Sequence, residues 1–294
     1  MLEAKDLKKG FGRRFVVGPV SIDLYPGELL LVTGPTGSGK SVLMQTFATL
    51  LKPDHGQLRI AGLAPTDGEV RRHVGYLPSD AEASSELPVR KYLQFCAVPW
   101  QPDPLYMPYL VQKALARVRV TDASHDPVSQ LSALMRRRLA LARAIIHDPE
   151  LVLLDDPIKV LNEPERQAMV EIVQSLRASG KVVVVASQHV ELYRPIATHG
   201  LFLAGGTVYA CTQLRGGQPA SMRIRRVELF LGIEVDPQKA VKVIRNCPGV
   251  LFAEPADDGY QIIVEGDASD VPKLIELISR SYPVITFQER AGAF

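Results

Sequence analysis

The clearest chemistry in the chain lies in Gly34-Pro35-Thr36-Gly37-Ser38-Gly39-Lys40-Ser41, which satisfy every fixed position of the pattern G-x-x-x-x-G-K-[ST]. Glycines at this spacing let backbone N–H groups curl around anionic oxygens at the positive end of a helix. The expected ligand is a nucleoside triphosphate, with Lys40 meeting the β- and γ-phosphates and the Ser41 hydroxyl holding Mg²⁺. A second chemical group is the carboxylate pair Asp155-Asp156, which ends the apolar run Leu151-Val152-Leu153-Leu154.

Elements must carry these residues in the right places. Residues 28–32 read as a short buried strand before the loop, and the residues from Ser41 read as a helix reaching about Leu51, where Lys52-Pro53-Asp54-His55-Gly56 stops it. Residues 1–32 alternate apolar runs with turns and predict β strands. Two further strands are expected at 58–62 and 73–78. Residues 87–147 carry helical periodicity broken by Pro99-Trp100-Gln101-Pro102-Asp103-Pro104, which suggests a helical insertion. The apolar strands expected at 151–156 and 181–187 flank a helix over 163–178 with apolar Met169, Val170, Ile172, Val173 and Leu176. Such runs suit a parallel sheet covered on both faces and joined by a crossover helix.

Linker character over 213–221 marks a domain boundary. Beyond it, strand, helix, strand, strand, helix and strand follow at 227–233, 237–246, 250–254, 260–265, 268–281 and 284–287. This βαββαβ order predicts a small ferredoxin-like α+β domain.

The 294 residues suffice for two domains with proper cores, and a formal net charge of +2 argues against nucleic acid as a general partner. Cys96, Cys211 and Cys247 are widely spaced and form no Cys-x-x-Cys pair, which argues against zinc and disulfides and for a reducing cytoplasm. Neither a signal peptide nor a membrane span is expected.

Taken in order, these motifs resemble those of ATP-binding cassette (ABC) ATPases over about residues 1–212. Phe11 falls where this family places an aromatic ring that stacks on adenine, and this reading is preferred to that of a plain core or surface phenylalanine. Leu87-Pro88-Val89-Arg90-Lys91-Tyr92-Leu93-Gln94-Phe95 resembles the segment that opens the family's helical subdomain. Leu131-Ser132-Ala133-Leu134-Met135-Arg136-Arg137-Arg138-Leu139 resembles the signature L-S-G-G-M-R-R-R-L of drug- and polysaccharide-type exporters, and the βαββαβ tail resembles the C-terminal extension of that branch. The resemblance implies an α/β P-loop ABC domain over 1–215 with a helical subdomain at about 87–147, followed by a ferredoxin-like domain over 225–294. It also implies ATP and Mg²⁺ as cofactors and a homo- or heterodimer with another ABC ATPase. Membrane-spanning permease partners are implied too, with a cytoplasmic location at the inner face of the membrane. On the triple arginine, a solvated helix face is the expectation over a nucleic-acid or lipid patch.

Several positions depart from the family pattern. Family cassettes pair head to tail, each ATP lying between one phosphate loop and the other protomer's signature. Ser132 survives here, but Ala133 and Leu134 replace two glycines, adding bulk where a γ-phosphate docks. Asp155 matches the aspartate that serves Mg²⁺ through water. Asp156 replaces the water-activating glutamate and is about 1.5 Å shorter, and a 1 Å misplacement can cost about 10²-fold in rate. Ser79 stands in place of a Mg²⁺-sensing glutamine, with Asp80 as a partial substitute. Ile158-Lys159-Val160-Leu161-Asn162 loses the aspartate that crosses the dimer interface. Gln188 occupies the switch-histidine position, leaving His189 one residue late as a surface histidine at a helix start, and Val42 removes a phosphate-donor hydroxyl. An intact loop beside altered hydrolytic positions implies an exporter subunit that binds ATP and hydrolyses it slowly or not at all. The alternatives are a soluble scaffolding or regulatory ABC-fold module that binds a partner protein, and an active ATPase that tolerates these residues.

Overall fold

The computed structural model describes all residues except 12–14, 101–102, 216–217, 220–223, 232–235, 248–249, 257–258, 266–269 and 291–294. The chain folds as two compact units, Met1–Gly217 and Gln218–Phe294.

The first unit is built on two sheets. β1 (Leu2–Phe11) and β2 (Phe15–Leu24) are longer than their short apolar runs suggest. With β4 (His55–Ile60) they form an antiparallel sheet in the order β2-β1-β4. The central sheet joins β3 (Leu29–Thr33), β5 (Val74–Leu77), β6 (Leu151–Asp155), β7 (Val182–Ala186), β8 (His199–Ala204) and β9 (Thr207–Arg215) in the order β9-β8-β3-β7-β6-β5. Its neighbours from β8 to β5 run parallel, while β9 is antiparallel to β8. Every residue of β3, β6 and β7 is buried, as expected of continuous apolar strands covered on both faces.

Helix α1 (Lys40–Phe47) follows β3 and buries Leu43, Met44 and Phe47. It stops four residues short of Leu51, because Thr49 adopts a left-handed conformation and Leu50 N–H reaches back to the Gln45 carbonyl at 3.0 Å. That closes the helix in a Schellman-type turn before Pro53. The helical insertion comprises α2 (Val89–Ala97), α3 (Met107–Val118) and α4 (Ala133–Ile145). Pro99, Trp100, Asp103 and Pro104 separate α2 from α3, while Gln101 and Pro102 lie outside the described residues. Helix α5 (Glu163–Ala178) crosses between β6 and β7, started by a reciprocal capping box between Asn162 and Glu165. The short α6 (Val190–Tyr193) follows β7.

Two of the contacts that tie the insertion to the sheet centre on His147 and Asp148. His147, just past α4, stacks on Trp100 with ring centroids 3.8 Å apart, and its Nε2 lies 3.1 Å from the Val74 carbonyl of β5. Burial is the main reason its pKa falls to about 4, so it is neutral near pH 7. Asp148 accepts from Lys113 and Arg117 of α3 and from Lys181 at the entry to β7. Burial pushes this carboxyl up, but those three cations outweigh it and hold it well below the usual carboxylate range.

The second unit begins with the two-residue β10 (Gln218–Pro219). It continues as β11 (Ile224–Leu231), α7 (Pro237–Arg245), β12 (Val250–Ala256), β13 (Gly259–Glu265), α8 (Asp270–Ser279) and β14 (Val284–Arg290). The sheet order is β12-β13-β11-β14 with antiparallel neighbours. Ala240 and Ile244 of α7 and Val271, Leu274 and Ile278 of α8 pack with Val227, Leu229, Ala253 and Tyr260 in a separate core. Spacings of three and four residues along each helix place these side chains on one face. Among the described residues, no helix is long and apolar enough to cross a membrane.

Candidate functional site

The glycine-rich loop bridges β3 and α1. Gly34 has φ 145°, and a Cβ there would meet the Leu203 carbonyl oxygen at 1.9 Å, so only glycine fits. Gly39, with φ 105°, caps α1, whose Leu43 N–H bonds the Gly39 carbonyl at 2.9 Å. Pro35, the second residue of the loop, is buried. Ser38 is buried as well, and its Oγ has no partner among the described residues. The loop encloses a cleft of about 500 Å³ lined by Thr36, Gly37, Gly39, Lys40, Ser41 and Val42 on one side. Ser79, Asp155, Asp156, Lys159, Gln188 and His189 line the other.

The sheet brings these residues together. β3 and β6 both neighbour β7, and the segments leaving their C-terminal ends carry the loop, the carboxylates and Gln188-His189. Lys40 folds back and donates to the Gly34 and Pro35 carbonyls at 2.7 and 2.8 Å. Those bonds keep its ammonium inside the loop, where a phosphate would replace one uncharged acceptor by an anionic one. Gln188 Nε2 donates to Thr36 Oγ1 at 2.8 Å and so bridges the end of β7 to the loop.

Asp155 is 4% exposed. Burial raises its pKa, opposed by a hydrogen bond from Ser41. Asp156 is also raised by burial, with His189 and then Lys40 the strongest opposing charges. Its backbone is left-handed at φ 45°, and its N–H bonds the Ala186 carbonyl at 2.8 Å. Its Oδ1 is buried with no partner among the described residues. A hydroxyl bonded to a carboxylate, a second carboxylate with an unsatisfied oxygen and an ammonium in the loop are the donor set that a Mg²⁺–triphosphate suits. Among the described residues, no cluster of three or more His, Cys, Asp or Glu could hold a metal alone.

Other expected site residues fall elsewhere. Asp80 is exposed and does not line the cleft, leaving Ser79 as the residue of that pair placed there. Ser132 caps α4, its Oγ accepting from Met135 N–H at 3.3 Å, and Ala133 and Leu134 follow in the first turn, away from this chain's own cleft. Phe11 closes β1, but its side chain lies outside the described residues. His189, read from sequence as a surface residue, lines the cleft beside Asp156.

The triple arginine is not a solvated face. Arg137 is 2% exposed and donates to the carbonyls of Pro78, Ala81, Asp155, Asp156 and Pro157. The expectation failed because the helical stripe through Leu141 and Ala144 turns Arg137 inward. Arg138 has the buried Ala142 and Ile145 at the same spacing, so no sequence signal separated Arg137 from its neighbours. Lys159 had none either, because it reaches the cleft through the turn after Asp156, where Lys159 N–H bonds the Asp156 carbonyl at 3.3 Å.

A largely parallel sheet with a glycine-rich loop, Lys40 and two strand-end carboxylates at one edge defines a P-loop nucleotide-binding cassette. Residues 17–159 match the family described as ABC transporter. The chain is 32% identical over 254 residues to the aliphatic sulfonates import ATP-binding protein SsuB 2 of Agrobacterium fabrum, covering 84% of this chain and 92% of that protein. It is 28% identical over 207 residues to the Nod factor export ATP-binding protein I of Rhizobium etli, covering 70% and 66%. In fold it is similar to the ATP-binding subunit of an ABC transporter, with TM-score 0.64, 23% identity and coverage of 73% and 90%. It is also similar to a dimeric cassette in a post-hydrolysis state bound to ADP and Pi, with TM-score 0.63, 22% identity and coverage of 74% and 100%. This chain belongs to the ABC transporter family and is an ATP-binding subunit of a transporter.

Proposed function

We propose that this chain binds Mg²⁺–ATP as the nucleotide-binding subunit of an exporter-type ABC complex and hydrolyses it slowly. The observation that carries this reading is the asymmetry of the cleft. The loop from Gly34 to Ser41 is complete and Ser41 bonds Asp155, whereas Asp156 and Gln188 face the same space in place of a glutamate and a histidine. Aspartate reaches less far than glutamate toward an attacking water, and an amide cannot carry a proton as imidazole does. Ser132, presented at the N-terminus of α4, serves the nucleotide of a second cassette, where Leu134 weakens the clamp. Asp155 meets Mg²⁺ through water, Ser79 supports that ion, and Phe11 stacks on adenine.

The partners are membrane-spanning permease subunits and a second ABC ATPase, identical or different, so the chain sits peripherally at the cytoplasmic face of the membrane. Residues 1–215 act as the nucleotide-binding domain and 225–294 as a ferredoxin-like accessory domain, a reading supported by the sheet order β12-β13-β11-β14. The exporter assignment rests on the arginine-bearing signature and on this accessory domain.

Titration calorimetry with Mg²⁺–ATP and a phosphate-release assay test the reading together. Saturable binding with turnover about 10²-fold below that of a cassette with the full motif set is expected. Rapid turnover by the purified chain would reject it. Co-purification of a multi-span permease supports the transporter complex, and a purely water-soluble partner favours a scaffolding role in which Leu134 blocks the clamp altogether.

A further inference from the structure

Among the described residues Arg137 is the largest fully buried side chain, and each of its described hydrogen bonds ends on a backbone carbonyl. Nε donates to Pro157 at 3.2 Å, Nη1 to Pro78 and Ala81 at 3.1 and 2.6 Å, and Nη2 to Asp155 and Asp156 at 3.3 and 3.0 Å. The acceptors belong to two segments. One, 78–81, contains Ser79; the other, 155–157, contains both carboxylates, and all three side chains line the cleft. Burying a guanidinium without a carboxylate in contact is costly unless its donors are satisfied. A planar fork of five N–H groups can satisfy this many scattered carbonyls, whereas a lysine has three donors on a single atom.

The consequence is greatest at Asp156. A non-glycine residue at φ 45° persists only where its surroundings hold it. Here the Asp156 N–H is held by the Ala186 carbonyl and the Asp156 carbonyl by Arg137, so the peptide groups on both sides of its Cα are pinned. With both pinned, the direction of the Cα–Cβ bond is set, and with it the place of the carboxylate.

We propose that Arg137 is a positioning residue for the metal-bound nucleotide. From inside the fold it gathers the segments of Ser79, Asp155 and Asp156 into one register, so that a divalent cation carried by the triphosphate meets them already placed. Arg137 does not line the cleft. The glycine-rich loop, carried by β3 and α1, makes no contact with it through these bonds. Arg137 therefore acts on the metal side of the site and not on the phosphate cradle. This inference rests on the Mg²⁺–ATP reading above.

Titration calorimetry with ATP in Mg²⁺ and with ATP in EDTA, on the full chain and on Arg137→Gln and Arg137→Lys, separates the two sides, with the unfolding midpoint of each variant measured in parallel. Loss of a supporting partner behind a metal site costs about ten- to a hundredfold in metal affinity. The Mg²⁺-dependent gain in ATP affinity should fall by that factor in Arg137→Gln and by less in Arg137→Lys, which keeps the cation. Binding in EDTA should stay within about twofold, since the cradle is untouched. Equal losses in Mg²⁺ and EDTA, or an undiminished Mg²⁺ gain, overturn the inference and leave Arg137 a packing residue. Should Arg137→Gln not fold, Arg137→Lys decides alone, and full retention of the Mg²⁺ gain overturns it. The parent chain speaks to the site reading itself: absence of ATP binding there defeats that reading and this inference together, whereas a normal parent with unaffected variants defeats this inference only.

Discussion

At Asp156 two opposed effects meet in one side chain. The carboxylate is one methylene shorter than the family's glutamate, yet the left-handed backbone at φ 45° suits aspartate better than longer residues. Asp156→Glu should therefore raise ATP turnover by about tenfold or more through restored reach, at a stability cost of about 1 kcal/mol for glutamate in that conformation. Phosphate release and thermal unfolding measured on the same preparation check both halves, and unchanged turnover would show that Asp156 does not limit the reaction. The loop residues and Asp155 were legible in sequence because short-range pattern sets their chemistry. His189 was not, because one residue of register at the end of β7 decides whether a side chain enters the cleft, and only the turn between Ser187 and α6 sets that register.

Among the elements, the join between the helical insertion and the central sheet is the most sensitive to pH. His147 is held neutral by burial, with its Nδ1 unpartnered among the described residues and its ring stacked on Trp100. Its pKa in the fold, about 4, lies below the unfolded value of 6.5. Between these values the unfolded chain binds the extra proton, so His147 stabilises the fold fully above pH 6.5 and that contribution is lost as pH falls toward 4. Urea unfolding between pH 7 and pH 4 should show this as a slope of at most about 1.4 kcal/mol per pH unit. The His147 share of that slope should vanish in His147→Gln, whose amide can still reach the Val74 carbonyl. The helices themselves were readable from periodicity, α5 to the residue, because capping and apolar spacing are local. The end of α1 was not, because Thr49 takes a conformation usually left to glycine.

For the whole molecule, two units with separate cores predict separable unfolding. Calorimetry of the full chain should resolve two transitions, and Mg²⁺–ATP at about a hundred times its dissociation constant should stabilise the unit holding the loop by about 2.7 kcal/mol. For a unit of 217 residues that is a rise of roughly 5–10 °C. The transition of residues 218–294 should not move, and a rise in both midpoints would show that the units unfold as one. Sequence alone determined the phosphate loop, the family, the crossover architecture and the second unit's element order, all of which follow from patterns spanning a few to a few tens of residues. Only the tertiary structure decided that Arg137 is buried beneath the carboxylates and that His189 and Lys159 join them in the cleft. Both depend on chain segments dozens of residues apart closing on one point, which no local pattern encodes.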